Sequence, residues 1–169
     1  MQRALPGCLF QGLNPQSGSA HPAQGTKHQI VSLKLAAALL DHATAEDLGI
    51  VLQAPYNVIL AKDTIVQPDI LFVRRERSGL IGSTDLKGAP DLVAEILDSA
   101  TEQRVLKQKR KIYSGFGVRE YWLIDPAGET AKVMAWSEIG YILAGSYSKS
   151  GKLTSPLLAG LRLPLSKIF

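Results

Sequence analysis

The sequence predicts one domain of mixed α/β or α+β class, and three observations carry that prediction. Short runs of β-branched and aliphatic residues recur along the chain. Two other segments repeat their apolar positions at helical spacing, and the second of them separates two of the best strand candidates. A chain of 169 residues, 46% of them hydrophobic, fills one core and is short for two.

Taken in order, residues 1–27 are rich in Gly, Pro, Ser and Gln without a sustained period, and read as a poorly ordered leader before a domain over 28–169. HQIVSLKLAAALLDH, from His28 to His42, sets Ile30, Leu33, Ala37 and Leu40 at helical spacing and predicts an amphipathic helix. GIVLQAPYNVIL predicts two short strands or one bent one around Pro55. QPDILFV is a strand opened by Pro68, and RRERSGLIGSTDLKG is a polar, Gly-punctuated connection. GAPDLVAEIL is the next strand. TEQRVLKQKRKIYS, residues 101–114, lacks Gly and Pro and predicts a helix closed by the glycines of GFGV. REYWLIDP, AKVMAWS, YILAGSYS and LRLPL complete the strands, and nothing repeats at a fixed period.

Composition excludes several classes. The one cysteine, Cys8, has no intrachain partner, so disulfides contribute nothing and a reducing cytoplasm is the expected setting. No apolar run approaches the roughly 18 residues needed to cross a bilayer, and no apolar block follows Arg3 as a secretory signal requires. A net charge of +4 does not by itself imply a polyanionic partner. Ser-His-Asp order, Cys/His zinc spacing and a phosphate-cradling glycine loop are absent.

The chemistry lies in three misplaced charges. In GAPDLVAEIL, alternation puts Asp91, Val93, Glu95 and Leu97 on one face, so Glu95 stands among aliphatic neighbours. Asp69 opens the QPDILFV strand with Leu71 and Val73 on its face, and neighbouring strands would bring Asp69 and Glu95 together. Converging carboxylates resist ionisation unless a cation is present, and a hard divalent ion held by one or two carboxylates supplies it. In the second helix, Val105, Leu106, Ile112, Tyr113 and, provided the helix extends that far, Phe116 form an apolar arc with Lys109 near its middle, while Arg104, Lys107, Arg110 and Lys111 lie outside it. Plainer readings stand beside these. Asp91 is a turn or capping residue, Glu95 a surface residue of a half-exposed strand, Lys109 a snorkelling side chain, and the basic cluster a solvated face. His28 and His42 cap or flank the first helix.

QPDILFV, GAPDLVAEIL, and KQKRKIY followed by GFGVREYWLIDP together resemble the Uma-two family of the restriction-endonuclease-like PD-(D/E)xK superfamily, over roughly residues 28–169. The resemblance implies an α/β fold with a mixed central β-sheet flanked by helices. It also implies cleavage of DNA dependent on Mg²⁺ or Mn²⁺, and the fold implies a homodimer by analogy. By the same resemblance Asp69 is the aspartate of the PD motif and Glu95 the acid of the D/E-x-K motif. Leu97 stands where the wider superfamily has lysine, and Lys109 is the family's helical lysine. His28 matches an accessory histidine at the start of the helix. Arg104, Lys107, Arg110 and Lys111 become the residues that hold nucleic acid. The chain departs from the pattern in three places: no glutamate precedes His28, Asp98-Ser99-Ala100-Thr101 replaces S-P-S-T, and Val105 replaces an aspartate four residues before Lys109. Two functions follow, a metal-dependent endonuclease and a catalytically degenerate nucleic-acid-binding or assembly module of the same fold.

Overall fold

The computed structural model describes residues 25–98 and 103–169, with side chains in the second helix described from Leu106 onward. Most of the leader expected over 1–27, together with the side chains of Arg104 and Val105, lies outside the described residues. The elements are α1 (Thr26–Ala45), β1 (Gly49–Gln53), β2 (Asn57–Ala61), β3 (Thr64–Val66), β4 (Ile70–Arg74), β5 (Asp85–Lys87) and β6 (Leu92–Ile96). There follow α2 (Gln103–Gly115), β7 (Glu120–Asp125), β8 (Thr130–Ser137), β9 (Gly140–Ser148), β10 (Lys152–Leu153) and β11 (Leu163–Pro164).

Six strands form the central sheet in the order β1-β4-β6-β7-β8-β9. Among the described residues of this sheet only β6 and β7 run parallel, and α2 is the crossover between them, as parallel neighbours require. α1 covers one face together with the C-terminal segment: Val31, Leu35 and Leu39 meet Ile70, Phe72, Ala94, Trp122, Leu158 and Leu165. On the other face α2 and the small sheet β3-β2-β5 meet Leu71, Val73, Val93 and Tyr121 through Tyr113, Val58 and Leu86. Both faces of the middle strands are therefore buried, which is why β4 and β6 read as nearly continuous aliphatic runs.

The predicted buried face of α1 is corrected. Ile30, Leu33 and Leu40 are 48%, 65% and 50% exposed and Ala37 is exposed too, while His28, Val31, Ser32, Leu35, Ala36, Leu39 and Ala43 point inward. The segment is apolar almost all the way round, so its spacing fits two helical phases. The phase adopted lets Ser32 accept a hydrogen bond from Gln53 Nε2 at 2.8 Å and turns His28 toward the sheet. The polar connection after β4 holds a 3-10 helix, Arg75–Leu80, and the short strand β5.

Two glycines are required by geometry. A Cβ on Gly49, at φ +153°, would lie 2.1 Å from the carbonyl oxygen of Val73 on the paired strand. Gly117, at φ +74°, ends α2 in a Schellman motif: Val118 N–H donates to Tyr113 O at 3.0 Å and Gly117 N–H to Ser114 O at 3.2 Å. Phe116 falls beyond the helix and is 40% exposed, which corrects its place in the predicted apolar arc.

Candidate active site

The pairing of β4 with β6 fixes where the first acid stands. Ile70 is opposite Ala94, so the same register carried one residue further sets Asp69 opposite Glu95. The approach is direct: Ile96 N–H donates to Asp69 Oδ2 at 2.8 Å. The main chain is held as well, since Ala54 N–H donates to the carbonyl of Asp69 at 2.9 Å. His28 reaches the same Oδ2 from α1, with Nε2 at 3.3 Å. The start of α1 is tied to the exit of β6 by a hydrogen bond from Gly25 N–H to Asp98 Oδ2 at 3.1 Å, which keeps His28 over the acids.

Glu95 points to the α2 face and is 3% exposed. Lys109 Nζ donates to both of its oxygens, at 3.0 Å to Oε1 and 2.8 Å to Oε2, and Tyr113 Oη donates to Oε1 at 2.7 Å. Residues 109 and 113 are one turn apart, so a single stretch of helix delivers both donors to one carboxylate. Burial raises the pKa of Glu95 above the usual carboxylate range and the charge of Asp69 adds to the rise, while Lys109 and Tyr113 oppose it. The Tyr113 phenol is pushed well above its ordinary value, first by burial and then by the charge of Glu95, so it remains a donor at any working pH.

The structure thus brings Asp69, Glu95, Lys109 and His28 into one cluster. Lys107, Arg110 and Lys111 lie on the solvent side of α2, and Arg110 donates to Tyr141 O at 3.1 Å. The side chain of Lys109 keeps 18% exposure against 4% for that of Glu95, so the lysine is the less enclosed member of the pair. Among the described residues no group of three or more His, Cys, Asp or Glu is placed to hold a metal ion. An acid pair of oxygen donors is nevertheless the set on which Mg²⁺ relies when water and phosphate complete its shell. Buried acids already drawing a cationic side chain suit such an ion.

Asp91 is more than the turn residue expected. It is fully buried, accepts Arg74 N–H at Oδ2 (2.9 Å), and pairs through Oδ1 with Arg77 at 2.8 Å and with Arg74 and Arg119 at 3.9 Å. Sequence reasoning missed Tyr113 as a partner of Glu95, although its place four residues after Lys109 was the available signal. It also missed Glu120, 1% exposed, whose Oε2 accepts Trp122 Nε1–H and Ser155 Oγ–H at 2.8 Å each and whose Oε1 accepts Leu157 N–H at 2.6 Å. An acid inside an apolar strand marked Glu120 as it marked Glu95. A cavity of about 270 Å³ lies toward the other end of β4, lined by Asp47, Phe72, Arg74, Glu76 and Leu158 among others, and does not include the acid pair.

Comparison with known proteins agrees with this architecture. A crystal structure described as a "putative nuclease belonging to DUF820", from Anabaena variabilis, is similar over 88% of this chain and 83% of its own, with TM-score 0.74 and 18% identity. That likeness is one of fold. The type IIG restriction endonuclease BpuSI is similar over 66% of this chain and 12% of its own, with TM-score 0.41 and 10% identity. No curated protein matches the chain. No helix among the described residues is long and apolar enough to cross a membrane. The Uma2 family, described as "Putative restriction endonuclease", matches residues 19–166, nearly the whole chain, and the chain belongs to that family.

Proposed function

We propose that the protein is a divalent-metal-dependent endonuclease acting on DNA, with Asp69 and Glu95 as the protein ligands of Mg²⁺ or Mn²⁺ and Lys109 as the cationic catalytic residue. One observation carries this reading: two buried carboxylates from adjacent strands stand opposite each other with a helical ammonium on one of them. Bound there, the ion supplies a water of lowered pKa and positive charge beside the phosphate oxygens. The chain's own residues do the rest. His28 and the Ile96 N–H hold Asp69 Oδ2 and so orient the carboxylate. Lys109, the less buried member of its pair with Glu95, reaches the place where charge develops on the phosphate. Lys107, Arg110 and Lys111 on the outer side of α2 contact the phosphate backbone, together with Arg104. A homodimer would supply one such site per strand of a duplex, and a reducing cytoplasm suits the lone thiol of Cys8.

The test is cleavage of plasmid DNA by the pure protein with Mg²⁺ or Mn²⁺ and with a chelator. Cutting that needs the ion and falls at least a hundredfold in Asp69→Ala and Glu95→Ala is the expected result. Cutting that survives both substitutions would remove these acids from the mechanism. A second reading, a binding module without catalysis, is favoured by Val105 and by the missing upstream glutamate. It expects DNA binding without hydrolysis and no uptake of Mn²⁺.

A further inference from the structure

The two oxygens of Glu95 are held by unequal partners. Oε1 accepts from the Tyr113 phenol at 2.7 Å and from Lys109 at 3.0 Å, whereas among the described residues Oε2 accepts from Lys109 alone, at 2.8 Å. The two donors also differ in burial and in side-chain length. Tyr113 is completely buried, its ring lies 5.7 Å from that of Tyr121, and its carbonyl closes the Schellman motif at the end of α2. Lys109 carries its charge on a flexible four-carbon stem, and its side chain is 18% exposed.

We propose that Lys109 is the resident cation of the acid pair, occupying Glu95 Oε2 in competition with a divalent ion, and that Tyr113 is a positioning residue that keeps Oε1. Glu95 then offers the ion a single oxygen. The inference rests on the metal-dependent reading above. An anchored phenol and a mobile ammonium on one buried carboxylate make a site in which one cation is exchanged for another without Glu95 ever being left bare. Competition is reciprocal: whatever affinity Lys109 takes from the ion, the ion takes from the Lys109–Glu95 pair. The clamp on Oε1 also bears on ion choice. Mg²⁺ is content with one oxygen from each carboxylate, whereas Ca²⁺ readily takes both.

Calorimetric titration of Mn²⁺ into the whole chain tests the first half. Lys109→Met is expected to bind Mn²⁺ roughly tenfold more tightly than the wild type although it cuts nothing, and Lys109→Arg no more tightly than the wild type. Uptake by the wild type that Lys109→Met leaves unchanged or weakens would overturn the competition. Uptake by neither protein would overturn the metal-dependent reading itself, and the inference with it. Should Lys109→Met not fold, the wild type labelled with ¹⁵N-lysine answers the same question. The ammonium signal assigned to Lys109 should move toward those of exposed lysines as Mg²⁺ saturates the site, and a signal that stays in place would refute the exchange. For the clamp, the ratio of Ca²⁺ to Mg²⁺ affinity is expected to rise roughly fivefold in Tyr113→Phe. General loosening of the fold would weaken both ions alike, and an unchanged ratio would remove Tyr113 from this role.

Discussion

Removing the ammonium from a buried carboxylate has a calculable effect on the metal-free protein. In Lys109→Met the aliphatic stem is largely kept, while Glu95, 3% exposed, loses the donor that touched both of its oxygens. Breaking a buried ion pair from one side costs about 3–5 kcal/mol, and the partial exposure of Lys109 argues for the lower end, about 3 kcal/mol. With a urea m-value of about 2 kcal/mol/M, the unfolding midpoint should fall by about 1.5 M. The dependence on pH gives the sharper test. Burial already raises the pKa of Glu95 in the folded state, and loss of the ammonium raises it further. A carboxyl whose folded pKa exceeds its unfolded value favours folding fully below the unfolded pKa, near 4.3, and loses that contribution as pH rises through the folded pKa. The deficit of the variant should therefore be small near pH 4 and full by pH 8. Urea melts of both proteins with a chelator, across that range, measure it. The same deficit at every pH would mean that only packing was lost, and no deficit at any pH would mean that the pair contributes nothing.

Other substitutions separate chemistry from scaffold. Asp91→Ala should destabilise the protein by about 3–5 kcal/mol in urea melts, because it strips the acceptor from Arg74 N–H and leaves Arg77, Arg74 and Arg119 crowded together. It should leave Mn²⁺ affinity within twofold of wild type, and a larger change would place Asp91 in the site. Glu120→Gln should cost about 1–3 kcal/mol, because an amide replaces one of two oxygens that between them accept three donors; an unshifted thermal midpoint would show that the network adjusts. Replacing Lys107, Arg110 and Lys111 by alanine should weaken DNA binding at every sequence and flatten its dependence on salt by up to about two to three counterions. An unchanged salt slope would move the DNA to another face.

The acid pair was legible because strand geometry leaves little freedom: alternation fixes the face of Asp69 and Glu95, and one shared register makes them neighbours. Lys109 was legible for a similar reason, since a charge inside an apolar arc needs an anion. The phase of α1 was not, because Ala36, Ala37 and Ala38 offer no contrast between inside and outside, and the sheet selects the phase that brings His28 to Asp69. The strands β3, β5 and β10, of two or three residues each, are too short to display a period. Asp91 was read as a local turn residue because its partners come from the segments around Arg74, Arg77 and Arg119, which sequence order does not bring together.

Asp91, just before β6, and Glu95, within it, are two buried charges compensated in different ways. Asp91 is fixed by a main-chain N–H and guanidinium groups that keep their charge, and its nearest ion pair is 2.8 Å long. Glu95 is compensated instead by one phenol set in the core and one ammonium on an aliphatic stem. Burial of either acid is satisfied by its own set of donors, and what distinguishes the Glu95 set is that it stands beside a second carboxylate, Asp69. The proposed function therefore puts its chemistry at the Glu95 end of β6, opposite Asp69, and gives the Asp91 end a part in the fold.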